Sequence, residues 1–215
     1  MQRLRIRFCR GEEVKFISHL DLMRLWQRAL NRAGVAVAYS EGFNPHPRLS
    51  LAAPLALGVT SEAELMDIVL EKWSSPHAFT TAVGRQLPRG IEIRQVLNTP
   101  LTLPSLQSLV RFAEYAAELE TDKGREEIRA AIDALLARDS LPWQHQRDTG
   151  PRHYDLRALI DDLWLDDGRN GAVTIGMRLR CDSQGSGRPE QVTAALGFEQ
   201  LPKSIHRTKL ILQPK

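Results

Sequence analysis

Near the start of the chain Leu4, Ile6 and Phe8 alternate with Arg3, Arg5 and Arg7. This period of two predicts a strand with one buried face, and it places the three arginines together on the other face. Ser18 then precedes a run in which Leu22, Leu25, Trp26, Ala29 and Ala33 recur at the helical period, with Gly34 where a C-terminal cap belongs. The pattern returns to strands over Arg48–Leu57 and Glu64–Trp73; in the latter, Leu65, Asp67, Val69 and Glu71 stand opposite Met66, Ile68 and Leu70. Ser75 and Pro76 open a second helix by a cap and a proline at its first position, with Phe79, Val83 and Leu87 turned inward, and Ile91–Leu97 is a closing strand.

The resulting order, β-α-β-β-α-β, is that of a ferredoxin-like split βαβ domain over residues 1–100. Such a sheet carries its helices on one face, so the other is expected to display Arg3, Arg5 and Arg7. Pro100–Pro104 punctuates the chain as a linker. Beyond it the pattern predicts a strand over Val110–Glu120 and a helix over Gly124–Arg138 with Ile128, Ile132 and Leu135 on one side. An alternating strand over Ala172–Cys181 follows, then a short helix opened by Arg188–Pro189–Glu190 and ended by Gly197, and a last strand over Ile205–Leu212. Tyr154–Leu165 fits either a strand or a short helix. The economical reading is an α+β protein of two ferredoxin-like (split βαβ) domains in tandem, the second, 106–215, a degenerate copy that no visible sequence repeat marks.

A chain of 215 residues has the length for either one large or two small domains, and 42% hydrophobic residues support folding throughout. The formal charge is only +3, but it is unevenly distributed: 13 basic against 9 acidic side chains up to Pro104, and 16 against 17 beyond it. A basic surplus in the first half suits the phosphate-neutralising part of nucleic-acid binding, and equally an ordinary solvated surface. Cys9 and Cys181 match no metal-ligand spacing, so structural zinc and iron–sulfur ligation are not expected and the thiols are read as reduced. No apolar run approaches the roughly 20 residues that span a bilayer, and the first residues lack an apolar signal core, so a cytoplasmic protein is expected.

The densest chemistry lies in Tyr39–Ser40–Glu41–Gly42–Phe43–Asn44–Pro45–His46–Pro47–Arg48. Its prolines fix φ and hold side chains in place, as in loops that carry function. Tyr39 or Phe43 suits stacking on a base, Asn44 pairing with a base edge, and Arg48 contact with a phosphate; the alternative is a structural turn with Phe43 plugged into the core. In Ser18–His19–Leu20–Asp21, His19 and Asp21 suit a base and its orienting carboxylate, but a helix cap accounts better for Asp21. His19 at a helix start also suits an anion. His46 is the second candidate base. No metal site and no cofactor are expected, since His19, His46 and His77 show no ligand spacing and no phosphate-loop or nucleophile-elbow motif occurs. Gly185–Ser–Gly–Arg–Pro189 precedes a helix and suits an anion at that helix start, but reads better as a flexible turn, and Asp155–Leu–Arg157 with Arg188–Pro189 read as polar anchors.

The segments Phe16–Ile–Ser–His–Leu–Asp21 with Arg24 and Arg28–Ala29, then Tyr39–Pro47, Leu49–Ser50, Pro54–Leu55 with Gly58, Glu64 with Asp67, Asp155–Leu–Arg157 and Arg188–Pro189 together resemble the radical-SAM-linked domain of unknown function. This bacterial module occurs fused behind a radical SAM domain or as a separate protein. The chain lacks the cysteine triad of a radical SAM core and so resembles the separate form. The resemblance implies association with a radical SAM protein. Together with the basic surplus it frames the leading expectation: a non-catalytic accessory protein that also binds RNA, tRNA or rRNA, through Arg3, Arg5, Arg7, His19, Tyr39, Ser40, Glu41, Phe43, Asn44, His46 and Arg48. The rivals are a metal-independent endoribonuclease using His19 or His46, and a module that binds protein alone.

Overall fold

The structure, a computed structural model, describes residues 1–147, 150–166 and 173–213. These residues form a mixed α+β protein that divides into two compact units, Met1–Val110 joined by Gln213, and Arg111–Leu212.

The first unit follows the pattern of its sequence. Strand β1 (Gln2–Arg10) leads through a 3₁₀ turn at Glu12–Val14 to α1 (His19–Arg32), then come β2 (Leu49–Leu51), β3 (Thr60–Leu70), α2 (Pro76–Gly84), β4 (Ile91–Thr99) and the single turn α3 (Leu106–Leu109). In the sheet the strands stand in the order β2-β3-β1-β4, each antiparallel to its neighbours. Leu4 pairs with Ile68 and Ile6 with Met66; these side chains, with Phe8, are fully buried against Leu22, Trp26 and Leu30 of α1 and Phe79 and Val83 of α2. The Phe8 and Trp26 rings meet edge to face at 5.0 Å, a favoured aromatic geometry.

Local signals set the helix ends. The Ser18 and Ser75 hydroxyls accept from the N–H of Asp21 and Ala78, satisfying donors that a helix start leaves open. Beyond α1 the Val35 N–H reaches back to the Leu30 carbonyl at 3.0 Å. Gly34, at φ +68°, makes that reversal without the steric cost of a Cβ.

Three expectations for this half need correction. The strand expected over Arg48–Leu57 is only Leu49–Leu51; Ala52 still donates to Leu65, but Pro54 has no N–H to offer a ladder. The strand expected over Glu64–Trp73 is Thr60–Leu70, since the Glu71 N–H turns to the Ala36 carbonyl and Trp73 stands in solvent. The arginine-bearing face is not an open basic surface. Asp67 and Val69 on it are buried, Arg5 grips Asp67 through two hydrogen bonds of 2.8 and 3.0 Å, and Arg3 donates to the carbonyls of Leu101 and Leu103. The proline segment read as a linker is thereby tied to β1.

The second unit contains β5 (Val110–Leu119), α4 (Arg125–Leu136), a two-stranded ribbon β6 (Pro142–Arg147) and β7 (Gly150–Asp155), then β8 (Ile160–Asp166), β9 (Val173–Asp182), β10 (Gly185–Ser186), α5 (Pro189–Ala195) and β11 (Ser204–Leu212). Its sheet runs in the order β9-β5-β11, with β8 and β10 both pairing along the outer edge of β9. Ile128, Ile132 and Leu135 are buried on one side of α4, and Ala113, Tyr115, Ala117 and Leu119 alternate inward along β5. The segment Tyr154–Leu165, ambiguous in sequence, is the end of β7, a 3₁₀ turn at Arg157–Leu159 and most of β8. Ala172, the first residue of the expected strand, lies outside the described residues.

Candidate functional site

The Tyr39–Arg48 segment is built from its base upward. Ala38 donates to the Val69 carbonyl at 2.8 Å, Val69 to Arg48 at 3.0 Å and Arg48 back to Ala38 at 2.7 Å, so both legs of the loop are anchored on β3. One rung higher, Ser40 donates to the His46 carbonyl at 2.8 Å while the His46 N–H donates to the Ser40 hydroxyl at 2.9 Å. This double link closes the loop below a tip of Glu41 to Pro45, where Gly42 takes φ +119°. Ser40 is thus a structural clasp, since its side chain faces backbone.

Above the clasp every side chain is exposed. Phe43 is 105% exposed and Tyr39 52%, and Glu41, Asn44, His46 and Arg48 are also exposed. The alternative in which Phe43 plugs the core therefore does not hold. A phenyl ring held wholly in water by a closed, proline-stiffened loop gains nothing for folding, because the favourable transfer of its apolar surface is left unused. The Arg48 guanidinium reaches the Met1 sulfur at 3.6 Å, and its side chain is otherwise exposed to solvent.

His19 is the first residue of α1 and is exposed. The carboxylate that would orient it is otherwise engaged: Asp21 Oδ2 accepts from the Ser18 hydroxyl at 2.7 Å and Asp21 Oδ1 from Arg24 at 3.1 Å. These two bonds hold the Asp21 carboxyl below its usual range. His19 and His46 are not brought together. The base of the His46 loop lies against Val69, beside the Gln2–Arg3 end of β1, whereas the segment leading to His19 is held at the other end by buried Arg10, which donates to the carbonyls of Val14, Lys15 and Ile17. Arg7 is exposed, but Arg3 and Arg5 are committed to the bonds given above.

Two features escaped the sequence reading. Phe16, three residues before His19, and Leu20, next to it, are 72% and 65% exposed; the signal of Leu20 was its place off the Leu22–Trp26–Ala29 stripe. In the second unit, Arg152, Arg180 and Arg188 converge with His145 and Tyr154 around a cavity, a grouping assembled from four separate stretches of chain. Among the described residues, no three His, Cys, Asp or Glu side chains are grouped so as to hold a metal ion, and no helix is long and apolar enough to cross a membrane.

Over residues 3–189 the sequence matches a family model described as "Uncharacterized protein conserved in bacteria (DUF2344)". No curated protein sequence matches the chain. Its fold is similar to a chain in the crystal structure of a Cbf5-Nop10-Gar1 complex, with a TM-score of 0.53 at 10% identity, covering 96% of this chain and 48% of that one. Weaker likenesses, with TM-scores of 0.47 and 0.49 at 11% identity, are to chains in an archaeal box H/ACA sRNP Nop10-Cbf5 complex and in an H/ACA RNP bound to a substrate RNA containing 2'-deoxyuridine. They cover 95% and 96% of this chain and 46% and 47% of those chains, so the chain spans about half the length of the solved chains it resembles.

Proposed function

The chain belongs to that bacterial family, and we propose that it is a non-catalytic accessory protein that binds RNA and a radical SAM enzyme, with Tyr39–Arg48 as its recognition element. The observation that carries the proposal is the full exposure of Phe43 at the apex of a loop clasped by Ser40 and His46. An aromatic ring in that position is ready to stack, and base–aromatic stacking contributes about 1–3 kcal/mol per base. Arg48 adds a solvent-facing guanidinium suited to phosphate, and Asn44 an amide that both donates and accepts. The radical SAM partner is the part of the reading that rests on the resemblance of the Phe16–Asp21 and Tyr39–Pro47 segments. For that partner, the exposed pair Phe16 and Leu20 offers apolar docking area beside His19.

The strand order β2-β3-β1-β4 with two crossover helices supports a ferredoxin-like first domain, 1–100, and the order β8-β9-β5-β11 supports a second, 106–215, enlarged by the β6–β7 ribbon. The engagement of Asp21 by Ser18 and Arg24 favours binding over RNA cleavage by a His19 base oriented by that carboxylate.

The test is an electrophoretic shift with tRNA and rRNA fragments across a salt series, beside affinity purification from cells. The protein is expected to shift RNA at low salt, with affinity falling as salt rises, and Phe43→Ala combined with Arg48→Gln is expected to abolish the shift without loss of fold. Recovery of a radical SAM protein supports the partner. Wild-type binding by the double variant, or no RNA shift and no such partner, overturns the proposal.

A further inference from the structure

The second unit contains a cavity of about 220 Å³ that plays no part in the reading above. Arg152 and Tyr154 reach it from β7, His145 from β6, Arg180 from the end of β9, and Arg188 with Gln191 from the start of α5. Three guanidinium groups line one small cavity, and an anion placed there would be attracted by all three.

Among the described residues no carboxylate supplies that charge. Arg180 Nη1 donates to the neutral Gln184 amide at 2.9 Å, Arg188 Nη1 lies 3.2 Å from His145 Nε2, and the Arg152 guanidinium stands 5.7 Å over the Tyr154 ring. Among the described residues none of the three forms an ion pair with a carboxylate. Other arginines of the same unit do: Arg178 pairs with Glu114 at 2.9 Å and with Asp161 at 3.4 Å, and Arg129 with Glu126 at 2.7 Å. Among the described residues that line it, the one acid, Asp155, is engaged by the chain itself, its Oδ1 accepting the N–H groups of Leu141 at 2.8 Å and Arg157 at 2.9 Å.

The frame is rigid. A Cβ on Gly185 would stand 2.6 Å from Leu159 Cδ2, and one on Gly187 3.1 Å from the Leu159 carbonyl oxygen. The Gly185–Ser–Gly187 segment therefore lies flat against Leu159, and the Gly187 N–H donates to the Arg180 carbonyl at 2.9 Å, fixing Arg180 and Arg188 on one rim. The Tyr154 hydroxyl donates to the buried Gln191 amide, which holds the ring as an aromatic wall. Guanidinium forks match phosphate oxygens bidentately, and an aromatic wall accepts a planar base.

We infer that this cavity binds the phosphate of a nucleotide, with Arg152, Arg180 and Arg188 as its cationic wall and Tyr154 beside the attached sugar or base. The volume lies below the roughly 300 Å³ at which pockets for drug-sized ligands begin, which suits one phosphorylated unit and not an extended cofactor. The inference stands on the second unit alone, and the loop reading can fail without it.

The experiment is titration calorimetry on the full chain with inorganic phosphate, uridine monophosphate and a short oligouridylate. Arg180→Gln, Arg188→Gln and the control Arg129→Gln are compared, each checked by circular dichroism. At least one probe is expected to bind, the two cavity variants binding it about ten- to a hundredfold more weakly and the control unchanged. Dependence on the arginines with uridine monophosphate identifies a free nucleotide; dependence with the oligomer alone identifies an RNA strand. Should a cavity arginine variant not fold, Ser186→Glu, which sets a carboxylate at the exposed rim, is expected to abolish binding. Phe43→Ala leaves binding here intact, so failure of the loop reading stays distinguishable. Absence of binding by every probe, or equal binding by the cavity variants and the control, overturns the inference.

Discussion

The two units repeat one strand order, β2-β3-β1-β4 in the first and β8-β9-β5-β11 in the second, and they differ most in the connection that leads from the first helix to the outer strand. In the first unit the connection from α1 to β2 carries the Tyr39–Arg48 loop. In the second the connection from α4 to β8 carries the β6–β7 ribbon, and with it His145, Arg152 and Tyr154. This stretch need not pair within the sheet, so it accepts length and unusual composition at little cost to the core. The first unit uses that freedom to expose a stiff aromatic tip; the second uses it to wall a cationic cavity.

Substitutions that break either core should have the largest effect. Trp26→Ala, which empties a fully buried indole site against Phe8, is expected to cost about 3–5 kcal/mol in urea unfolding. Trp26→Phe should cost less, because the buried indole N–H has no hydrogen-bond partner to lose. The second unit has its own tight point. Gly176 faces Trp164 across the β8–β9 pair, and a Cβ there would lie 2.0 Å from the indole nitrogen. Gly176→Ala should cost about 1–3 kcal/mol through overpacking, and an unchanged unfolding midpoint would show that Trp164 swings away freely.

A smaller effect separates the units by pH. The N–H groups of Leu141, and then Arg157, bond the ionised Asp155 carboxyl and hold it below the usual carboxylate range, against the opposing pull of desolvation. A carboxyl depressed in the folded state stabilises at neutral pH, and this contribution is lost as pH falls through and below the usual carboxylate range, where the unfolded chain takes up the proton first. Asp155→Asn should flatten part of the fall in Tm between neutral pH and about pH 3. Asp21, depressed by Ser18 and Arg24, leaves the same signature in the first unit, which Asp155→Asn should not touch. Smallest in stability is Phe43→Ala, expected to lie within about 0.5 kcal/mol of the parent while RNA affinity collapses. A large loss of stability instead would mean that the tip packs on the protein and is not free to recognise anything.

Much of the first unit was legible because its signals are local. The Arg–Leu alternation of β1, the Ser18 cap and the Gly34 stop each act within a few residues. The Arg48–Leu57 strand was overread because apolar residues alone do not reveal that Pro54 and its neighbours leave the sheet. The arginine face was misjudged because the Arg5–Asp67 bond joins residues 62 apart in sequence. In the second unit the sequence of Gly185–Ser–Gly–Arg–Pro189 favours a flexible turn over an anion site at the helix start, whereas contact with Leu159, far away in the chain, makes it a wall.

The order of elements, the polarity of each strand face and the stiffness of the proline loop were properties of the sequence, since backbone preference and hydrophobic period operate between near neighbours. Which charges are paired and which stand free was decided only by tertiary structure, because an ion pair depends on distances that folding alone creates. That is why Arg5, prominent in the sequence, is bound to Asp67, while Arg152, Arg180 and Arg188, scattered along the chain, meet around one cavity.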